Sequence, residues 1–210
     1  MANHKLYYFD FGGPAEFIRM MFHYAGVPFE DVRFNFQEWG QNWKHKMPFG
    51  KVPVLEIDGV MLPESRAIGS YLGKKFGLVG KDDLEFAQIE ALMSFFDDFF
   101  NEIHTWFSAA FGCGEGDKDK LYKEVFEPAA AKALPIFEKH IKEAGNGFYF
   151  KSGLTWADFC LSQFWRAVDD KLIPDFFDKH PILKENSDKV NALPQIQKYL
   201  KERGDIYKMH

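Results

Sequence analysis

The chain has 210 residues, 46% of them hydrophobic and 27% charged, with a formal net charge of −5. That apolar fraction is too high for a disordered chain, no apolar run is long and uncharged enough for a membrane span, and no basic segment leading into an apolar run opens the sequence as a secretory leader would. The mild acidity without a Lys/Arg stripe argues against nucleic acid as a partner, and two cysteines outside any CxxC spacing, Cys113 and Cys160, fit a reducing, cytoplasmic location.

Up to about Phe76, strand-like and helix-like runs alternate. Lys5-Leu6-Tyr7-Tyr8-Phe9 favours a strand and is closed by turn material from Asp10 to Pro14. Phe17, Ile18, Met21, Phe22 and Ala25 share one helical face, which Gly26 ends with Pro28 just beyond. Val32, Phe34 and Phe36 alternate as in a second strand over residues 30–36. Residues 52–57 and 60–62 are apolar runs joined by Asp58-Gly59, a strong two-residue hairpin signal. Ala67, Ile68, Tyr71, Leu72 and Phe76 form another helical face. This order predicts an α/β, thioredoxin-like N-terminal domain (βαβ-ββα) over residues 1–76.

Residues 77–83 read as a linker, and residues 84–210 as an all-α domain. Ile89, Leu92, Met93, Phe96, Phe99, Phe100 and Ile103 keep the spacing of one long helix. Residues 121–144 predict a second, with Pro128 and Pro135 expected to kink or break it. Trp156, Phe159, Cys160, Phe164, Ala167 and Val168 make a third stripe. Thr155 and Asp158 at its start have capping-box spacing, a folding device rather than a site.

The seven histidines form no HxxxH or Cys/His cluster, so no metal site is expected. Nucleotide-binding glycine loops and a GxSxG elbow are absent as well. Three other features bear on chemistry. In Met47-Pro48-Phe49-Gly50-Lys51-Val52-Pro53, a proline opens a strand. A cis bond there turns the Val52 backbone groups outward for an extended peptide; the plain alternative is an edge-strand proline. In Leu62-Pro63-Glu64-Ser65-Arg66, Ser65 reads as a helix N-cap whose hydroxyl and neighbouring N–H groups suit a carboxylate, while Glu64 suits an ammonium. Simple capping explains the same residues. Tyr7 and Tyr8 face opposite ways in a strand, so one should enter the core and the other reach a cleft. A phenol O–H there would favour a bound thiolate; two strand aromatics are the plain alternative.

Taken together, Tyr8-Phe9, Ala15-Glu16, residues 48–53, Glu64 to Ile68 and Thr155 to Phe159 resemble the signature segments of cytosolic glutathione transferases over essentially the whole chain. Trp39 and the pair Asp97-Asp98 are most similar to the sigma-type branch, which includes glutathione-dependent prostaglandin D synthases, and the general texture is that of its nematode members. The resemblance implies a detoxifying enzyme that conjugates glutathione to hydrophobic electrophiles, with no cofactor beyond the glutathione co-substrate. It implies Tyr8 as the catalytic, thiol-activating phenol and Val52, followed by a cis Pro53, as the backbone partner of the cysteinyl part. Glu64 and Ser65 would hold the γ-glutamyl end, and Trp39, Lys44 and Lys51 would lie along the glycyl end. Asp98, lent by the second subunit of a homodimer, would reach the γ-glutamyl ammonium. An apolar site lined by Phe9, Phe11, Phe100, Trp106, Cys160 and Phe164 would take the electrophile.

The sequence departs from the sigma pattern at Gly12-Gly13-Pro14, where an Arg is usual, and at Glu64, where Gln is usual. The first departure favours an alternative on the same scaffold: a non-catalytic carrier of haem or another hydrophobic ligand, or a crystallin-like protein. The retained Tyr8, Glu64 and Ser65 favour the enzyme.

Overall fold

The computed structural model describes residues 3–207. They form two compact units, one holding the chain up to Leu78 together with the segment from Val190 onward, the other holding residues 79–189. This grouping differs from the linear division read from the sequence, because the last segment closes on the first unit. The Gly12 N–H donates to the Ile206 carbonyl at 2.7 Å, and Tyr199 and Arg203 reach the fully buried Glu16.

The first unit is built on a four-stranded sheet of order β2-β1-β3-β4. Strand β1 (His4–Phe9) runs parallel to β2 (Glu30–Phe34) and antiparallel to β3 (Val54–Ile57), which pairs antiparallel with β4 (Val60–Pro63). Helix α1 (Glu16–Ala25) makes the right-handed βαβ crossover and stops at Gly26, whose φ of 63° is the left-handed conformation a C-terminal glycine adopts at no steric cost. Ile57 pairs with Val60 across the two-residue turn; Asp58 at φ 49° and Gly59 at φ 85° give it the positive-φ pair that matches the strand twist.

Strand β2 ends two residues short of the predicted limit. Asn35 instead caps a short helix α2 (Phe36–Glu38): its side chain accepts from the Glu38 N–H, and the Glu38 carboxylate accepts from the Asn35 N–H, both at 2.9 Å. A π-turn (Trp39–Trp43) and a 3₁₀ turn (Lys44–Lys46) continue it. Helix α3 (Ser65–Phe76) follows β4.

The register fixes where a ligand can sit. Phe9 pairs with Phe34, Tyr7 with Val54, and Val54 with Pro63. The C-terminal ends of β1, β2 and β4 and the N-terminal end of β3 therefore lie at one edge of the sheet. Everything leaving that edge, namely residues 10–15, 35–46, 52–53 and 64–65, is gathered there, the usual place for a ligand in sheets of this kind.

The second unit is helical. Helix α4 (Asp83–Ala110) begins at an Asp82 cap whose side chain accepts from the Glu85 N–H at 2.8 Å, and it buries the predicted apolar stripe except Phe100, which is half-buried. The second helical run comprises α5 (Lys118–Leu121), a π-turn (Tyr122–Phe126) and α6 (Glu127–Ala144). Pro128 stands two residues after the π-turn. It lacks the N–H that an α-turn would use, and the wider turn, in which the Glu127 N–H reaches back to the Tyr122 carbonyl, takes up that defect. Pro135 stays inside α6. Helix α7 (Trp156–Ala167), α8 (Phe176–Lys179) and α9 (Pro181–Asn191) follow, and α10 (Pro194–Glu202) returns to the first unit.

The cap of α7 does more than its local motif suggests. The Asp158 carboxylate accepts from the Thr155 N–H (2.7 Å) and hydroxyl (2.8 Å), from the Tyr149 N–H (3.0 Å) and from Asn186 Nδ2 (2.8 Å). One buried carboxylate thus ties a helix start, the preceding loop and α9 together.

Candidate active site

The two adjacent tyrosines of β1 are both buried but face opposite sides. Tyr7 packs with Phe34, Met47 and Val54, and its hydroxyl donates to Glu56 Oε2 at 2.7 Å. Burial and the Glu56 carboxylate push its pKa up to about 12. Its proton is committed to that carboxylate. Tyr8 takes the other face: its ring meets Phe9 (5.5 Å) and Phe11 (5.4 Å) edge-on, and the Arg19 guanidinium carbon lies 5.9 Å from its centroid. A Cβ placed on Gly13 would overlap the Tyr8 hydroxyl oxygen and crowd the ring carbons beside it.

Gly13 also holds φ 48°, so its lack of a side chain serves both the backbone and the close approach of the phenol. The expected effect of Gly13→Ala is a displaced Tyr8 hydroxyl. For the site that the resemblance implies, with Tyr8 at the thiol, turnover should fall about ten-fold or more, as small misplacements at a reacting centre do, while glutathione affinity measured by calorimetry stays close to wild type.

The Val52–Pro53 bond is cis, and Val52 precedes the first ladder pair of β3, so its backbone groups lie outside the sheet. Ser65 is not the N-cap expected from the sequence. That position belongs to Glu64, with Ser65 as the first helical residue, because the chain turns one residue earlier and leaves Glu64 at φ 72°, ψ 115°. Positive φ in a side-chain-bearing residue is costly and clusters at ligand sites. Neither side chain caps the helix, so both the hydroxyl and the carboxylate are left at the positive end of the α3 dipole.

Trp39 stacks on Phe34 (5.6 Å, 13°) and meets Phe9 edge-on. The Lys44 side chain passes over Gly50, the residue before the exposed Lys51. Tyr8, Trp39, Lys44, Lys51, Val52, Pro53, Glu64 and Ser65 thus all belong to the first unit and to its one sheet edge. Asp98, exposed on α4, belongs to the second unit.

The predicted apolar residues fall into two groups. In the first unit, Phe9 and Phe11 stack in parallel (5.7 Å, 4°), joined by Phe36, 4.6 Å from Phe9 and half exposed. In the second, Phe164 meets Phe100 edge-on at 6.0 Å. Cys160 is half-buried on α7. Trp106 is 2% exposed and packs on Phe126 at 4.2 Å, in the interior of the helical unit. Two aromatics escaped the sequence reading. Phe36 was taken as a strand residue, and Phe107, stacked on Phe164 at 5.7 Å, stands seven residues after Phe100, a spacing that could have found it.

Comparison with known proteins decides the family. Residues 4–74 match the glutathione S-transferase N-terminal domain, and residues 97–203 match the C-terminal domain. This chain belongs to the glutathione S-transferase family. Glutathione S-transferase 1 of Ascaris suum is 42% identical over 203 residues, covering 97% of this chain and 98% of that protein. Monomeric Na-GST-3, a glutathione S-transferase from Necator americanus, superposes with a TM-score of 0.90 at 38% identity over 97% of this chain and 98% of its own. The prostaglandin synthase D of Nilaparvata lugens does so at 0.85 and 35%, over 96% and 98%. The glutathione transferase fold, a thioredoxin-like N-terminal domain followed by a helical domain, is the one described above. The chain is an enzyme, a glutathione transferase. Among its described residues, no helix is long and apolar enough to cross a membrane.

Proposed function

We propose that the protein activates the thiol of glutathione beside Tyr8 and transfers its sulfur to hydrophobic electrophiles, a detoxifying reaction of the cytoplasm, in the manner of the sigma-type branch. The observation that carries this reading is the division of labour between the two tyrosines. Tyr7 commits its hydroxyl hydrogen bond to Glu56, and Tyr8 is held by its own loop at the ligand edge of the sheet. The Tyr8 O–H donates to the bound sulfur and favours the thiolate; a hundred-fold gain in thiolate corresponds to about 2.7 kcal/mol. The thiol proton passes to solvent. With an aryl halide, the sulfur–carbon bond forms as the carbon–halogen bond breaks, and halide departs with the electron pair.

Glu64 pairs with the γ-glutamyl ammonium, while Ser65 and the free N–H groups of α3 take the α-carboxylate. Val52 pairs with the cysteinyl backbone. Trp39, Lys44 and Lys51 hold the glycyl carboxylate. Phe9 and Phe11, beside Tyr8 in the first unit, supply apolar surface for the electrophile. Asp98 of a second copy completes the ammonium site in a homodimer. Sedimentation with and without glutathione tests that arrangement, and a monomer of full activity would remove Asp98 from the site.

Turnover with chloronitrobenzene and glutathione tests the function, and two variants test the binding roles. Glu64→Ala and Ser65→Ala are each expected to raise the KM for glutathione about ten-fold, the worth of a hydrogen bond to a charged group, with much smaller changes in kcat. Unchanged KM in both would remove these residues from the site. The carrier alternative rested on the loop Gly12-Gly13-Pro14 having lost a cation. Arg19 supplies one from α1, 5.9 Å from the Tyr8 ring centroid, and this supports the enzyme.

A further inference from the structure

Helix α1 buries two charges completely, Glu16 and Arg19. Neither belongs to the glutathione edge, and a buried ion pair is a poor way to gain stability. Their partners explain them. Arg19 spends its guanidinium on the loop that follows β1: Nη1 donates to the carbonyls of Phe11 (2.9 Å) and Gly12 (3.4 Å), and Nη2 to that of Phe9 (3.4 Å). Its Nε donates to Asp31 at 3.0 Å. That loop carries Gly13, against which the Tyr8 hydroxyl is packed.

Glu16 sits between this arginine and the end of the chain. Its Oε2 accepts from Arg19 Nη1 at 3.3 Å, and its Oε1 accepts from the Tyr199 hydroxyl at 2.8 Å and from Arg203 Nη1 at 2.6 Å. The Ile206 carbonyl then accepts from the Gly12 N–H at 2.7 Å. Helix α10 and the residues after it are thus bonded to both ends of the Tyr8 loop's support.

We propose that Glu16, Arg19, Tyr199 and Arg203 form a positioning clamp through which the C-terminal helix sets the placement of the Tyr8 hydroxyl, and so the acidity of the bound thiol. The clamp acts through Tyr8 and touches no substrate. It rests on the reading of Tyr8 as the thiol-directing phenol. The charged and titratable groups facing Glu16 and Arg19 are Asp31 and Arg33 on β2, Asp10 beside Arg33, His23 on α1, and Tyr199 and Arg203 on α10. Tyr199 is held far above the usual phenol range by burial and remains a donor. His23, stacked on Tyr199 at 4.2 Å, is held below its usual range by burial. It is neutral at and above pH 7, so it cannot generate a pH effect on the alkaline side.

The test uses the full chain. Tyr199→Phe keeps the ring on His23 and deletes only the hydroxyl; Arg203→Met deletes the second donor, and Arg203→Lys restores a cation. Each is made with Tyr8 and with Tyr8→Phe, and kcat, the KM for glutathione and the pH profile of kcat/KM are measured with chloronitrobenzene. Tyr199→Phe and Arg203→Met are expected to lower kcat at neutral pH about five-fold, the worth of one buried hydrogen bond. The KM for glutathione should stay near wild type, the ascending limb of the profile, which reports ionisation of the bound thiol, should move to higher pH, and Arg203→Lys should recover most of the rate. With Tyr8→Phe the same substitutions should cost nothing further.

An equal fold-loss in both backgrounds overturns the clamp, as does a rise in KM at unchanged kcat. If Arg203→Met fails to fold, Tyr199→Phe decides alone. Wild-type kinetics in Tyr199→Phe and Arg203→Met beside an impaired Tyr8→Phe overturns the clamp and leaves the Tyr8 reading standing. Wild-type turnover in Tyr8→Phe removes both.

Discussion

Replacing Tyr8 with Phe is expected to lower kcat/KM for aryl halide conjugation about hundred-fold at neutral pH, since one hydrogen bond to a charged sulfur is lost. The ring survives the change, so its packing on Phe9 and Phe11 and its place over Arg19 are kept. Only the donor is removed. On the proposed site, which assigns the ammonium, carboxylates and backbone of glutathione to other residues, glutathione should still bind, and the ultraviolet band of the bound thiolate should vanish at neutral pH and return at alkaline pH. Tyr7→Phe is the matched control. It deletes the bond to Glu56 on the opposite face of the sheet and should leave turnover close to wild type. The comparison is sharp because the two residues are adjacent, both aromatic and both buried. Wild-type rates in Tyr8→Phe, or an equal loss in both variants, would show that the thiol is activated by something else.

The largest effect on stability is expected at Asp158. Asp158→Ala strands four donors, namely the N–H groups of Tyr149 and Thr155, the Thr155 hydroxyl and Asn186 Nδ2, in a fully buried position. The cost should be about 3–5 kcal/mol in denaturant unfolding, as for breaking a buried charged network from one side. Burial pushes the Asp158 carboxyl up to about 6 against the four donors that favour its charge. The folded chain therefore holds this proton more tightly than the unfolded chain, whose Asp titrates near 3.9. The sign follows: the contribution of the group is greatest below about pH 4, declines as pH rises towards 6, and is level above that. The stability difference between wild type and Asp158→Asn, measured from pH 4 to pH 7, should show that decline. A rise over the same interval would mean that the hydrogen bonds outweigh desolvation.

Local signals were read from the sequence most securely where a residue type has one physical use. Asp58-Gly59 could hardly be anything but a hairpin turn, and Gly26 ended α1 where the apolar face ran out. Asn35 to Glu38 have the spacing of a capping box, a signal hidden by the alternation of Val32, Phe34 and Phe36, and β2 ends two residues before that alternation does. Ser65 was taken for the cap because serine prefers that role. The tight exit from β4 put Glu64 there instead, at a positive φ that no propensity scale foretells. The apolar face of α1 says nothing of Glu16 and Arg19. The burial of Glu16 depends on partners more than 180 residues further on, and nothing in a helical period reports those. The π-turn at Tyr122–Phe126 is equally illegible, since it belongs to how the helix passes Pro128.

The return of the C-terminal segment has a consequence for biosynthesis. Arg203 meets Glu16 across 187 positions of sequence. A ribosome therefore exposes the whole four-stranded sheet, with the Glu16 carboxylate awaiting Tyr199 and Arg203, long before the residues that seal it have been translated. Contacts of such separation form late and slowly. The helical half, encoded in between, has all its own chain available first, so the portion made earliest is the portion finished last.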